Sequence, residues 1–310
     1  MPDAPQDPLS SVIALLKPRP DIAKAVVARG RWHVERRDMA NPFYAAIVTG
    51  RAVITVQDQP TVMLSAGDFI MVPAANHFTM TSEDPPPKAA LRPPFETGPG
   101  LFRLGPSDGP LKMEALVGHW RFDAPDKTLL LSLLPQMIHV SGQERLLALV
   151  KMVHEETRED RPARGMMLER LLEVLMIEAL RSYKGDTCLP GLLRGLTDPK
   201  LRAALYQIHN ATETGLSVAT LAREAGLSRS IFFERFKEAL GSAPMEYARS
   251  WRMAVARDLL LRRDLTTAEI AHRVGYGSVS AFATAFARHE GLAPGAWADR
   301  HRKNQDMERA

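Results

Sequence analysis

Hydrophobic and polar positions change their period twice along this chain. From about residue 22 to residue 122 the apolar residues fall in short runs. Residues 43–50 and 52–56 read as two strands, bounded by Gly50 and by Gln57-Asp58-Gln59-Pro60. A third run, residues 68–72, follows Gly67 and stops at Pro73. Closely spaced strands of this kind predict a small sandwich or barrel. Six prolines between Glu83 and Gly100 predict an irregular loop, with strands resuming near Leu101 and over residues 112–122. From about Gln143 the period becomes 3.6. Leu146, Leu147, Val150 and Val153 share one face, and Met167, Leu168, Leu171, Leu172 and Leu175 share another, which predicts two amphipathic helices. The second is apolar over much of its circumference, as suits either an intradomain core or a dimer interface. Residues 188–199, broken by Pro190, Gly191 and Gly195, read as a linker, and most of the chain beyond Lys200 reads as helical.

Composition narrows the class. With 310 residues, 45% hydrophobic and 25% charged, the chain can bury the cores of two soluble domains. No apolar run approaches the roughly 20 residues that cross a bilayer, so no membrane partner is expected. Residues 1–16 carry Pro2, Asp3 and Asp7 where a signal peptide would be basic, and a cytoplasmic location is expected. Cys188 is the single cysteine, which allows no internal disulfide and no metal framework. With only Lys184 near it in sequence, it is a poor redox sensor. The net charge is +4, but residues 217–303 hold 14 Lys/Arg against 9 Asp/Glu, so the rest is slightly acidic. A basic C-terminal module points to a polyanionic partner at that end.

An internal repeat sharpens this. Leu221-Ala222-Arg223-Glu224-Ala225-Gly226-Leu227-Ser228 aligns with Ile270-Ala271-His272-Arg273-Val274-Gly275-Tyr276-Gly277-Ser278. Ala222 and Ala271 suit the packed face of a short helix, and Gly226 and Gly275 a sharp turn at positive φ. Ser228 and Ser278 then cap a second helix, whose Phe232/Phe236 and Phe282/Phe286 pairs anchor it to a core. Helix, glycine turn, capped helix is the helix-turn-helix design, whose second helix enters the DNA major groove. Between the two units, residues 243–263 predict one long helix from Pro244. About 18 residues span roughly 27 Å, a strut able to hold two recognition helices about one DNA turn, ~34 Å, apart.

These motifs, with Leu227-Ser228-Arg229-Ser230, Gly241, Pro244, Tyr247, Arg252, Glu269, Gly291 and Pro294, resemble the DNA-binding domain of AraC/XylS-type transcription regulators over the whole C-terminal module. The resemblance implies base reading by Ser230, Phe233 and Glu234 in the first recognition helix, and by Val279, Ser280 and Thr284 in the second. Glu234 and Thr284 depart from the arginines common in the family. Glu234 suits cytosine N4 or orienting an arginine, while Val279 offers methyl contacts, so the first helix is expected to carry more of the specificity. Arg229, Arg235, Lys237, Arg249 and Arg288 are the phosphate-contact candidates, or else solvated helix charges.

The strand region resembles the cupin-like sensor domain of some AraC-type regulators, through Ile47-Val48-Thr49-Gly50, residues 66–73, His77, Gly118-His119-Trp120 and Leu133-Leu134-Pro135. Ala45 and Ile47 stand where enzymatic cupins place a metal-binding H-x-H pair, and no glutamate follows at ligand spacing. No metal, no cofactor and no catalytic residue are therefore expected. His77, Ala45, Ile47 and Trp120 are the candidates for an effector site, although His77 equally suits a hydrogen-bonded strand end. The expected fold class is α+β multidomain. A cupin-like β-barrel with helical segments (residues 1–190) would sense a small-molecule effector and dimerise, and an all-α domain with two helix-turn-helix motifs (residues 191–310) would bind DNA. The expected partners are double-stranded promoter DNA, a second copy in a homodimer, an effector of unknown identity, and RNA polymerase if the regulator activates. Two rivals remain: a cupin enzyme with a DNA-binding tail, and a constitutive DNA-binding dimer whose barrel is collapsed.

Overall fold

The computed structural model describes residues 7–37, 42–73, 77–87, 92–124, 127–183, 191–210 and 216–309. Cys188 and Lys184 lie outside them. The chain divides into two compact units, Lys17–Asp123 with Pro135–Asp186, and Met1–Leu16 with Ala124–Leu134 and Thr187–Ala310. Helices α1 (Pro8–Leu16) and α2 (Lys127–Ser132) belong to the second unit.

Strands of the first unit are β1 (Pro18–Arg29), β2 (His33–Arg37), β3 (Phe43–Val56), β4 (Val62–Ser65), β5 (Phe69–Val72), β6 (His77–Thr81), β7 (Phe95–Gly98), β8 (Leu101–Leu104), β9 (Leu111–Phe122) and β10 (Ile138–Val140). They run β10-β5-β3-β9-β1-β8-β7, with β4 and the β6–β2 pair joined to the far half of β3. The two runs on either side of Gly50 are thus a single bent strand. Its first half pairs with β9 and β5 and its second with β4 and β6, so the chain changes partners at Gly50 without ending the strand. Part of the proline-rich stretch also pairs: β7 is an edge strand on β8. An edge tolerates flanking prolines because one side of its ladder is open.

Alternation along β3 and β9 sorts their side chains between two faces. Phe43, Ala45, Ile47, Met113 and Ala115 join Trp32, Ile54, Leu64, Ile70 and Phe78 in the barrel core. Tyr44 faces the other way, onto helices α3 (Glu144–Arg158) and α4 (Arg164–Ser182). These two helices match the predicted amphipathic pair, and each buries one stripe, Leu146/Val150/Val153 and Leu168/Leu172/Leu175.

The second unit continues with α5 (Leu192–Thr197), α6 (Pro199–Asn210), α7 (Val218–Glu224), α8 (Arg229–Leu240), α9 (Pro244–Arg262), α10 (Thr267–Arg273), α11 (Val279–Glu290) and α12 (Pro294–Arg309). One expectation changes here. Residues 192–199, read as linker, are helix α5 and the start of α6. Leu192 is fully buried, and a side chain at Gly195 would stand 2.8 Å from Leu205 and Leu240, so that glycine permits close packing. Helix α1 buries Val12, Ile13, Leu15 and Leu16 and packs on α2, α5, α6 and α9.

Candidate nucleic-acid interface

Each helix-turn-helix unit is built by the same local chemistry. In the first, Ser217 caps α7 by accepting the Thr220 N–H at 3.1 Å, and Ser228 caps α8 by accepting the Ile231 N–H at 3.4 Å. In the second, Thr266 and Glu269 cap α10 reciprocally, and Ser278 caps α11 through the Ala281 N–H at 3.1 Å. Gly226 and Gly275 make the turns at φ +62° and +78°, a region where a Cβ is strained.

Packing then fixes which face of each second helix is free. Phe232 and Phe236 are fully buried with ring centroids 5.6 Å apart, and Phe236 meets Tyr247 of α9 edge-on at 5.7 Å. Phe282 and Phe286 repeat this at 5.6 Å, with Trp297 of α12 edge-on at 5.8 Å. Each buried ring is worth about 1.5–3 kcal/mol of transfer free energy. Helix α9, 19 residues and so about 28 Å long, contributes to both cores. Its Arg257 also reaches Glu290 at the end of α11, at 2.8 Å, with both side chains nearly buried.

With the phenylalanines facing inward, the predicted base readers Ser230, Glu234, Val279, Ser280 and Thr284 are exposed, and Phe233 is half-buried. Arg229, Lys237, Arg249 and Arg288 are exposed as well. Arg235 differs from a free phosphate contact, because it is ion-paired with Asp198 at the α5–α6 junction. Burial opposes ionisation of Asp198, but hydrogen bonds from Arg235 and the Lys200 N–H outweigh it and hold the carboxyl below its ordinary range. Arg194 of α5 pairs with Glu238 of α8 in the same way. Ser230, Ile231 and Glu234 consequently border an open groove of about 810 Å³ whose far wall is Arg194, Thr197 and Asp198. The linker reading of α5 hid this wall.

The barrel unit holds a smaller hollow, and none of the four effector candidates lines it. Ala45 and Ile47 are fully buried in packed core. His77 begins β6, its Nε2 2.9 Å from Glu35, which also accepts from Arg37. Trp120 points to the opposite face of the sheet, its ring tilted against that of Tyr44 with centroids 5.1 Å apart. The cavity itself, about 80 Å³, is lined by Lys24, Arg36, His119, Trp32 and an apolar wall that includes Phe43, Phe78 and Phe102. Strand parity was the missed signal: Met113, Ala115 and Val117 face inward, so His119 does and Trp120 does not. Among the described residues no three His, Cys, Asp or Glu side chains gather as metal ligands would, and no helix is long and apolar enough to cross a membrane.

Residues 7–184 match the family described as "Cupin", and residues 221–300 match one described as "Helix-turn-helix domain". A "Putative AraC-like transcription regulator" of Streptomyces lividans is 31% identical over 304 residues, covering 93% of this chain and 97% of that protein. The "HTH-type transcriptional regulator AlkR" of Acinetobacter baylyi is 29% identical over 261 residues, covering 80% and 84%. A solved structure of the DNA-binding domain of AdpA with a target DNA is 31% identical, covers 35% of this chain and 97% of that one, and superposes with a TM-score of 0.33.

Proposed function

The chain belongs to the AraC-like transcription regulators, and from that premise we propose how its DNA-binding surface is divided. Ser230, Phe233 and Glu234 read base edges in one major-groove segment, and Val279, Ser280 and Thr284 read the next. Arg229, Lys237, Arg249 and Arg288 hold phosphates and position the helices without reading sequence. Arg235 reaches phosphate only after giving up Asp198. The observation that carries this division is the matched pair of capped helices whose phenylalanines face inward and whose polar stripes face out. Specificity falls mainly on α8, since a carboxylate discriminates cytosine more sharply than methyl groups discriminate thymine.

In the same reading the barrel senses a small molecule, and the cavity beside Lys24 and Trp32 supports this over a collapsed, purely architectural barrel. Exposed Met152 on α3 and Met166, Met167 and Val174 on α4 suit a homodimer contact. RNA polymerase is a further partner if the protein activates, and the cytoplasm is where it acts.

The test is binding to the DNA upstream of its own gene, titrated against random duplex at several salt concentrations. A preference of about 10³-fold or more for a native promoter fragment is expected. Equal, steeply salt-dependent binding to every native fragment and to random duplex would show docking without reading.

A further inference from the structure

The barrel cavity joins two kinds of wall. One side is aromatic and aliphatic. The other brings Lys24 from β1, Arg36 from β2 and His119 from β9 to the same opening. Among the described residues neither Lys24 nor Arg36 has an ion-pair partner, and Glu35, next to Arg36 in β2, pairs with Arg37 and His77. A partly buried ammonium without a counter-charge is costly. The Phe102 ring, 5.3 Å from the Lys24 Nζ, compensates only in part. Trp32, 2% exposed and also lining the cavity, leaves its indole N–H without a partner among the described residues.

The titration behaviour agrees with this geometry. Burial, then the Arg36 charge, lowers the Lys24 pKa. Burial, then the charges of Lys24 and Arg36, pushes His119 down to about 4. The charged forms of Lys24 and His119 are therefore destabilised by burial and by the Arg36 charge beside them, and one anion would relieve both.

Building on the effector reading above, we propose that this cavity binds a small organic acid, its carboxylate held by Lys24, Arg36 and His119 and its apolar body against Phe43, Phe78 and Phe102. The size limits the class. About 80 Å³ of accessible space holds several waters, and so suits a single ring or a short alkyl chain. A bare inorganic anion would leave the aromatic wall unused, and a neutral hydrocarbon would leave the cations unpaired.

Calorimetric titration of the full-length protein with benzoate and octanoate tests this, set against benzyl alcohol, octanol and inorganic phosphate. At least one carboxylate is expected to bind saturably, about tenfold or more tighter than its own alcohol and than phosphate. Lys24→Gln and Arg36→Gln are each expected to weaken that carboxylate by about tenfold. Arg36 is exposed, so its variant keeps the test open if the Lys24 variant does not fold. No binding of either carboxylate overturns the proposal. So does an alcohol or phosphate that binds as tightly as the acid, or acid binding indifferent to both substitutions. Repeating the promoter titration with the acid at saturation separates the two ideas. Lys24-dependent binding that leaves DNA affinity unchanged sinks the sensing role and leaves the anion site standing.

Discussion

The two helix-turn-helix units are alike inside and unlike outside. Both use a serine cap, a glycine turn and a phenylalanine pair whose ring centroids lie 5.6 Å apart. Their outward faces diverge. Helix α8 carries Arg229, Ser230, Ile231, Glu234, Arg235, Lys237 and Glu238 where α11 carries Val279, Ser280, Ala281, Thr284, Ala285, Ala287 and Arg288. Helix α8 is also braced by α5 through two ion pairs. One scaffold thus carries two different readers, because the core residues constrain the backbone and leave the solvent face free to change.

The largest effects should be symmetric. Phe236→Ala and Phe286→Ala are each expected to cost about 3–5 kcal/mol in denaturant unfolding. A large cost in one unit and a small cost in the other would break the claim of equivalent cores.

Acid should then separate the units. His209, at the end of α6, stacks on Trp251 at 3.9 Å and bonds the Tyr247 hydroxyl at 2.8 Å. Burial pushes its pKa down to about 3. A depressed histidine pKa means that the unfolded chain takes up the proton first. Stability is therefore complete above about 6.5, the ordinary histidine value, and declines as pH falls from there toward 3. His209→Asn should flatten that part of the pH–stability curve, and an unchanged slope would refute the assignment.

Base reading should be asymmetric. Glu234→Gln is expected to change the preferred base at one operator position by about 1–3 kcal/mol, and Thr284→Ala to change any position less. Equal shifts across a randomised operator library would erase the proposed division of labour. Removing a cap should again be symmetric, with Ser228→Ala and Ser278→Ala each losing about 1 kcal/mol of unfolding free energy. Smallest and least selective should be Arg249→Ala, which weakens all DNA sequences alike and reduces the salt slope by about 1. Arg235→Ala should lower that slope by less, since Asp198 already holds the guanidinium. A larger drop for Arg235 would mean that the ion pair opens on DNA.

Much of this was legible along the chain, for local reasons. Capping serines, positive-φ glycines and i, i+4 phenylalanines act within a few residues of one another, so the repeat, its turns and its outward faces emerged from the residue order. The period of alternation likewise announced strands, then two amphipathic helices. What the chain order could not contain were pairings between distant segments. Gly50 looked like a strand end, yet β3 exchanges partners there and continues. The linker reading of residues 192–199 failed because Leu192 and Gly195 find their packing partners only in three dimensions, and α1 joins the DNA-binding unit across more than a hundred residues. The basic cluster is the clearest case: Lys24, Arg36 and His119 come from three strands, and only the folded sheet puts three basic groups on one cavity.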